Sequence, residues 1–169
     1  MPPGSSGAPG LAGTPGSGEE KTPAGAARYR PSVAILGFKN VSPNSKDAWI
    51  ADGLSEWLLT ELAAGEKLRL VPNENVARVK RALQLGDTAV IAPEQLPRLR
   101  ENLGSEYVVT GTCFPRGGDD EDGAVRVDLR LQRADNGEIV LSVADEETRP
   151  ELPALASRLA ARIREKLGA

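Results

Sequence analysis

Residues 107–144 read YVVTGTCFPRGGDDEDGAVRVDLRLQRADNGEIVLSVA, and three strands can be laid along them. Tyr107–Phe114 carries β-branched and aromatic residues at both alternate sets of positions, which marks a strand covered on both faces. Gly117–Gly123 (GGDDEDG) is loop chemistry. Beyond it Val125, Val127, Leu129 and Leu131 alternate with Arg126, Asp128, Arg130 and Gln132, giving one buried and one wet face. Asp135-Asn136-Gly137 is a hairpin signal, and Ile139–Ala144 completes the run. Strands joined by such short connections pair antiparallel.

Upstream the period changes. Val33-Ala34-Ile35-Leu36-Gly37-Phe38 is a nearly continuous apolar run, as in a strand with helices on both sides. Asn40–Lys46 (NVSPNSK) is a turn, and Asp47 reads as an N-cap. Ile50, Leu54, Trp57, Leu58, Glu61 and Leu62 then fall at helical spacing, with Gly65 at the C-cap. Leu68–Val71 is a short strand. Asn73 reads as the cap of a helix carrying Val76, Val79 and Leu83, ended by Gly86-Asp87. Pro93–Asn102 is a further helix, with Leu96, Leu99 and Leu103 on one side and Gly104 closing it. After Pro150 a last helix aligns Leu152, Leu155, Leu159, Ile163 and Leu167. The expected order is β-α-β-α-α-β-β-β-α. Helical crossovers require parallel strands, so the fold class is α/β (α+β), with a mixed five-stranded sheet packed by helices.

Of the first 27 residues, 20 are Gly, Pro, Ala or Ser, and Leu11 is their one large apolar side chain. Such a composition cannot repay the entropy of ordering. Residues 1–28 are expected to be a disordered linker, and 29–169 one domain. The start has no basic, apolar, secretory pattern, and no run approaches the ~20 apolar residues of a membrane span. No direct membrane insertion of this chain is expected. The absence of histidine excludes Ser-His-Asp triads and histidine metal sites. One cysteine excludes an internal disulfide and a CxxC pair. A net charge of −3 and an isoelectric point near 5.2 provide no basic footprint for nucleic acid.

The remaining constellations favour binding over chemistry. No phosphate-cradling glycine loop occurs. Asp119-Asp120-Glu121-Asp122 lacks the alternate spacing of a calcium loop, because Gly118 falls where a ligand is needed. Cys113 sits in an apolar strand and reads as a buried thiol. Trp57 belongs to the core stripe, while Trp49 is offset to its edge, where an exposed aromatic suits a partner contact. Arg158, Arg162, Arg164 and Lys166 lie on the polar side of the last helix. Trp49, Arg158, Arg162 and Lys166 are therefore the candidate interaction residues. No catalytic residue, metal site or cofactor is expected.

Five segments carry a family resemblance when taken together: SVAILGFKN (32–40), AWIADGLSEWLLTEL (48–62), GEKLRLVPNENVARV (65–79), LGSEYVVTG (103–111) and VRVDLRLQRADNG (125–137). In this order they resemble a domain related to the amino-terminal domain of TolB. The version most similar follows the catalytic and membrane segments of bacterial eukaryotic-like serine/threonine kinases, ahead of tetratricopeptide repeats. Gly37 stands where many relatives have Pro, and Leu141 where many have Trp. The kinase motifs HRD, DFG and VAIK are absent. The resemblance therefore implies a non-enzymatic sensor or docking module, with a protein partner or an adjacent repeat domain. It implies an extracytoplasmic position when tethered to such a kinase; a chain complete as given would stay in the cytoplasm. The alternatives are an envelope structural adaptor of the TolB or FlgO type and a small-molecule-binding module.

Overall fold

The computed structural model describes residues 29–85 and 91–169. The expected linker (1–28) and the Gly86-Asp87 helix end lie outside them. From Pro31 onward the chain forms one unit, built from five strands and four α-helices among the described residues: β1 (Ser32–Asn40), α1 (Trp49–Ala64), β2 (Arg69–Leu70), α2 (Asn73–Ala82), α3 (Leu96–Leu103), β3 (Tyr107–Pro115), β4 (Ala124–Arg133), β5 (Ile139–Thr148) and α4 (Leu152–Leu167). The sheet order is β2-β1-β3-β4-β5. β1 is parallel to β2 and β3, and the β3-β4-β5 meander is antiparallel. This is the mixed five-stranded sheet the sequence predicts.

Two cores flank the sheet. Val125, Val127, Leu129 and Leu131 of β4 join Val109 and Cys113 of β3 beneath α1 and α4, which contribute Ile50, Leu54, Leu58, Leu62, Leu152, Leu155, Leu159 and Ile163. On the opposite face Ala34, Leu36 and Val108 meet α2 and α3 through Val76, Val79, Leu96, Leu99 and Leu103. α1 and α4 lie side by side and run in the same sense. Asp47 and Arg149 meet at their beginnings, while the Arg164 guanidinium donates to the Glu61 carbonyl near their ends (2.8 Å).

A bulge lets β1 serve both cores. Ile35 is opposite Val109 and Gly37 opposite Thr110, so Leu36 is the extra residue. The displaced register puts Ile35 and Phe38, three apart, into one core and Leu36 into the other. Gly37 has φ +116°, and the Lys80 ammonium donates to the Leu36 carbonyl (2.8 Å). Proline, locked near −65°, cannot occupy that conformation. Gly37→Pro is expected to lower stability by about 3 kcal/mol or more. An unchanged urea midpoint would show that the bulge is not required.

Several local expectations are corrected. Asp47 does not cap α1. It closes a 3-10 turn, Ser45–Asp47, whose cap is Asn44, and its own side chain is buried. The helix starts two residues later, with no side-chain cap. Asn73 is the first residue of α2, not its cap, and its side-chain amide donates to Glu56 (2.7 Å). The α1 stripe centres on Ile50, Leu54, Leu58 and Leu62, with Trp57 and Glu61 half-buried beside it. α3 begins at Leu96, because Ala92–Gln95 forms a turn first. β5 extends four residues past Ala144. Gln132, placed by alternation on the wet face, is buried and donates to the Gly137 carbonyl (3.0 Å). Leu141 packs half-buried against the larger core.

Candidate functional site: a cleft at the carboxyl ends of two parallel strands

The connection from β1 to β2 runs through α1 on one face, and that from β2 to β3 through α2 and α3 on the other. Strand order reverses at β1. In open α/β sheets the crevice outside the carboxyl ends of the strands at such a reversal is the usual place for a ligand. Here the loops leaving β1 and β3 do border a cleft, of about 380 Å³. Its lining comprises Lys46, Asp47 and Trp49 after β1, Gly118, Asp119, Asp120 and Glu121 after β3, and Arg149 and Pro150 ahead of α4.

Arg149 is central to this cleft. Its Nε and Nη2 donate to Asp47 Oδ1 at 3.1 and 2.9 Å, and its Nη1 donates to the carbonyls of Arg116 and Asp120 at 3.0 and 2.9 Å. Both charged side chains are under 10% exposed. Asp47 Oδ2 accepts from Ser42 Oγ (2.9 Å), and the Asn40 side chain donates to the Asp47 carbonyl (2.6 Å). One guanidinium thus joins the loop after β1, the β3–β4 loop and the start of α4. Gly123 makes room for it: a Cβ there would meet Arg149 Nη1 at 2.3 Å and the Arg116 carbonyl at 2.4 Å. Four of the five Arg149 N–H donors are engaged in this way, and its charge is balanced by Asp47.

Above this pair the walls differ. One holds Trp49, 46% exposed, its indole edge-on to Trp57 with ring centroids 6.3 Å apart. The other is the acidic loop. Asp119 accepts from the Asn44 side chain (3.1 Å) and lies 3.7 Å from the Lys46 ammonium. Asp120 Oδ1 accepts from the Asp122 backbone N–H (2.9 Å). Immediately inside, the Cys113 thiol is pushed up to about 12 by burial, with the Asp47 charge adding to the effect.

The four candidate interaction residues do not form one surface. Trp49 opens α1 at the cleft. Arg158, midway along α4, donates to Asp145 (2.9 Å) and pairs with Glu147 (3.1 Å) on β5. Its hydrogen bond holds the Asp145 carboxyl below its ordinary range, and Arg162 contributes at longer reach. Arg162 is exposed. Lys166, also exposed, lies in the last turn, about 21 Å along the axis from the start of α4. Sequence reading located Trp49 but missed the Asp47–Arg149 pair, whose members are 102 residues apart. It also read the acidic stretch only as a loop without calcium-ligand spacing, where the structure makes it a cleft wall. Among the described residues no helix is long and apolar enough to cross a membrane.

Sheet order and helix placement define an α+β domain with an open, mixed five-stranded sheet. Its fold is shared with lipoprotein GNA1162 from Neisseria meningitidis (19% identity, TM-score 0.57, 78% of this chain and 95% of that one). It is also shared with the LpoB C-terminal domain from Salmonella enterica (20%, 0.53, 70% and 82%). TolB from Acinetobacter baumannii matches at 15% identity and a TM-score of 0.53, over 83% of this chain and 29% of its own. No family model matches the chain. In sequence it is 28% identical over 139 residues to a Rhizobium meliloti (strain 1021) protein provisionally named adenylate cyclase 3. That match takes in 78% of this chain and only 22% of the relative's length.

Proposed function

We propose that this chain is a non-catalytic protein-interaction module of a larger bacterial signalling protein, and that the Trp49 cleft is its contact surface. The observation that carries this reading is the state of the cleft's chemistry. Its buried ion pair joins three segments and is balanced in charge, which leaves a braced surface with an exposed indole. The similarity to one fifth of a longer protein named for a cyclase supports a module attached to signalling enzymes. The TolB-domain resemblance supports tethering to a serine/threonine kinase, outside the membrane. An envelope adaptor is the second reading, favoured by the likeness to a lipoprotein over nearly that protein's whole length.

As a module, the chain turns over no nucleotide by itself: with ATP and Mg²⁺ it is expected to form neither phosphoprotein nor cyclic nucleotide. In a longer protein, amide exchange across α4 is expected to slow when the following domain is present. Interdomain contacts of this sort bury roughly 600–1,500 Å². Unchanged exchange in α4, with the two parts tumbling independently by NMR relaxation, would favour the free-standing adaptor.

A further inference from the structure

We infer that the cleft receives a basic side chain, lysine or arginine, projecting from the protein partner. This rests on reading the cleft as a protein contact and adds the chemistry of what enters it. The two walls suit a cation by separate physical means. Trp49 offers a half-exposed indole, and a cation over an indole face is attracted by the ring quadrupole. The facing loop offers carboxylates. Asp119 is balanced by Lys46 and the Asn44 amide, and the Asp120 carboxylate accepts from the Asp122 backbone N–H within its own loop. Glu121 is exposed at the cleft with no comparable task.

Charge balance gives the same sign. Arg149 and Asp47 cancel at the floor, and Lys46 and Asp119 cancel at the rim. Asp120 and Glu121 remain, so the lining carries two uncompensated negative charges beside an indole. An anionic group would meet that excess, with the one guanidinium of the lining already paired to Asp47. An apolar side chain would cover the indole but leave both carboxylates desolvated and unpaired, which is unfavourable. A side chain with an aliphatic stem and a cationic head satisfies both walls, its stem along Trp49 and Pro150 and its head at the loop.

The test is titration of the ¹⁵N-labelled chain with Ac-Gly-Lys-Gly-NH₂ and Ac-Gly-Arg-Gly-NH₂, with Ac-Gly-Gln-Gly-NH₂ as the neutral control. The reporter is the Trp49 indole N–H resonance, assigned against Trp57 by substitution. The basic peptides are expected to shift it saturably, at least about fivefold more tightly than the control. Glu121→Gln and added salt should each weaken that binding; with the backbone amides of Asp119–Glu121 as reporters in place of the indole, Trp49→Phe should retain much of it and Trp49→Leu lose it. Thermal melting of each variant verifies folding. Equal response to all three peptides, or basic-peptide binding indifferent to Glu121→Gln, would overturn the inference. If the cleft ignores the basic peptides while α4 is still protected by the adjoining domain, the module reading stands and the basic side chain is wrong. If α4 protection is absent but the basic peptides bind, the cleft chemistry is right and the tethered arrangement is wrong.

Discussion

Replacing Arg149 by Met is expected to lower the stability of the domain by about 3–5 kcal/mol, because the Asp47 carboxylate is then left buried without a counter-charge. For a unit of this size that is a fall of roughly 10–20 °C in melting temperature. The loss exceeds the ion pair itself, since the carbonyls of Arg116 and Asp120 lose their donor at the same time. Asp47→Ala should be damaging for the reciprocal reason. The two changes together should cost less than their sum, because the double variant buries no orphan charge. Urea midpoints of the wild type, both single variants and the double variant complete the cycle. Strict additivity, or a loss below about 1 kcal/mol for Arg149→Met, would mean that water reaches the pair and that the cleft floor is not braced as described.

Cys113 provides the second large effect. An ordinary thiol has a pKa near 8.5, so at pH 8 a substantial fraction is thiolate; a thiol at about 12 is thiolate roughly one part in 10⁴. Its side chain is also fully inside, with its sulfur 3.7 Å from the Lys39 carbonyl. Alkylation by iodoacetamide at pH 8 should therefore run about 10³-fold or more slower in the folded protein than in urea. Cys113 is the chain's single cysteine, so the readout has one site. Brisk labelling without unfolding would contradict the packing of β3 against α1. Arg149→Met should also accelerate labelling, because a domain destabilised by that much opens more often and exposes the thiol, even though the uncompensated Asp47 charge would by itself push the thiol further up.

What could be read in the sequence depended on how far apart the determinants lie. The alternation from Val125 to Leu131 and the Leu152–Ile163 stripe are local patterns, and both occupy the faces they predict. The end of β5 was not legible. Asp145 and Glu147 sit on the same side of the sheet as Val127 and Val125, where an apolar residue would be expected, and Arg158 reaching across from α4 makes them tolerable there. Trp57 shifted the apparent phase of α1, because a large apolar residue at helical spacing looks central whether it lies on the stripe or beside it. The cleft was least visible of all. An Asp before a helix has the same local signature whether it caps that helix or awaits an arginine 102 residues later.

The pairing of β1 has a consequence for synthesis on the ribosome. β1 is made before either of its neighbours, the two residues of β2 and the whole of β3, with Val33 opposite Tyr107 and Asn40 opposite Cys113. Until β3 has emerged, the apolar Val33–Phe38 run has only the two residues of β2 to pair with. The meander that follows closes through short hairpins and needs no distant partner. The growing chain therefore carries a sticky, largely unpaired strand while residues 41–106 are being made, and this is the segment a nascent-chain chaperone would be expected to hold.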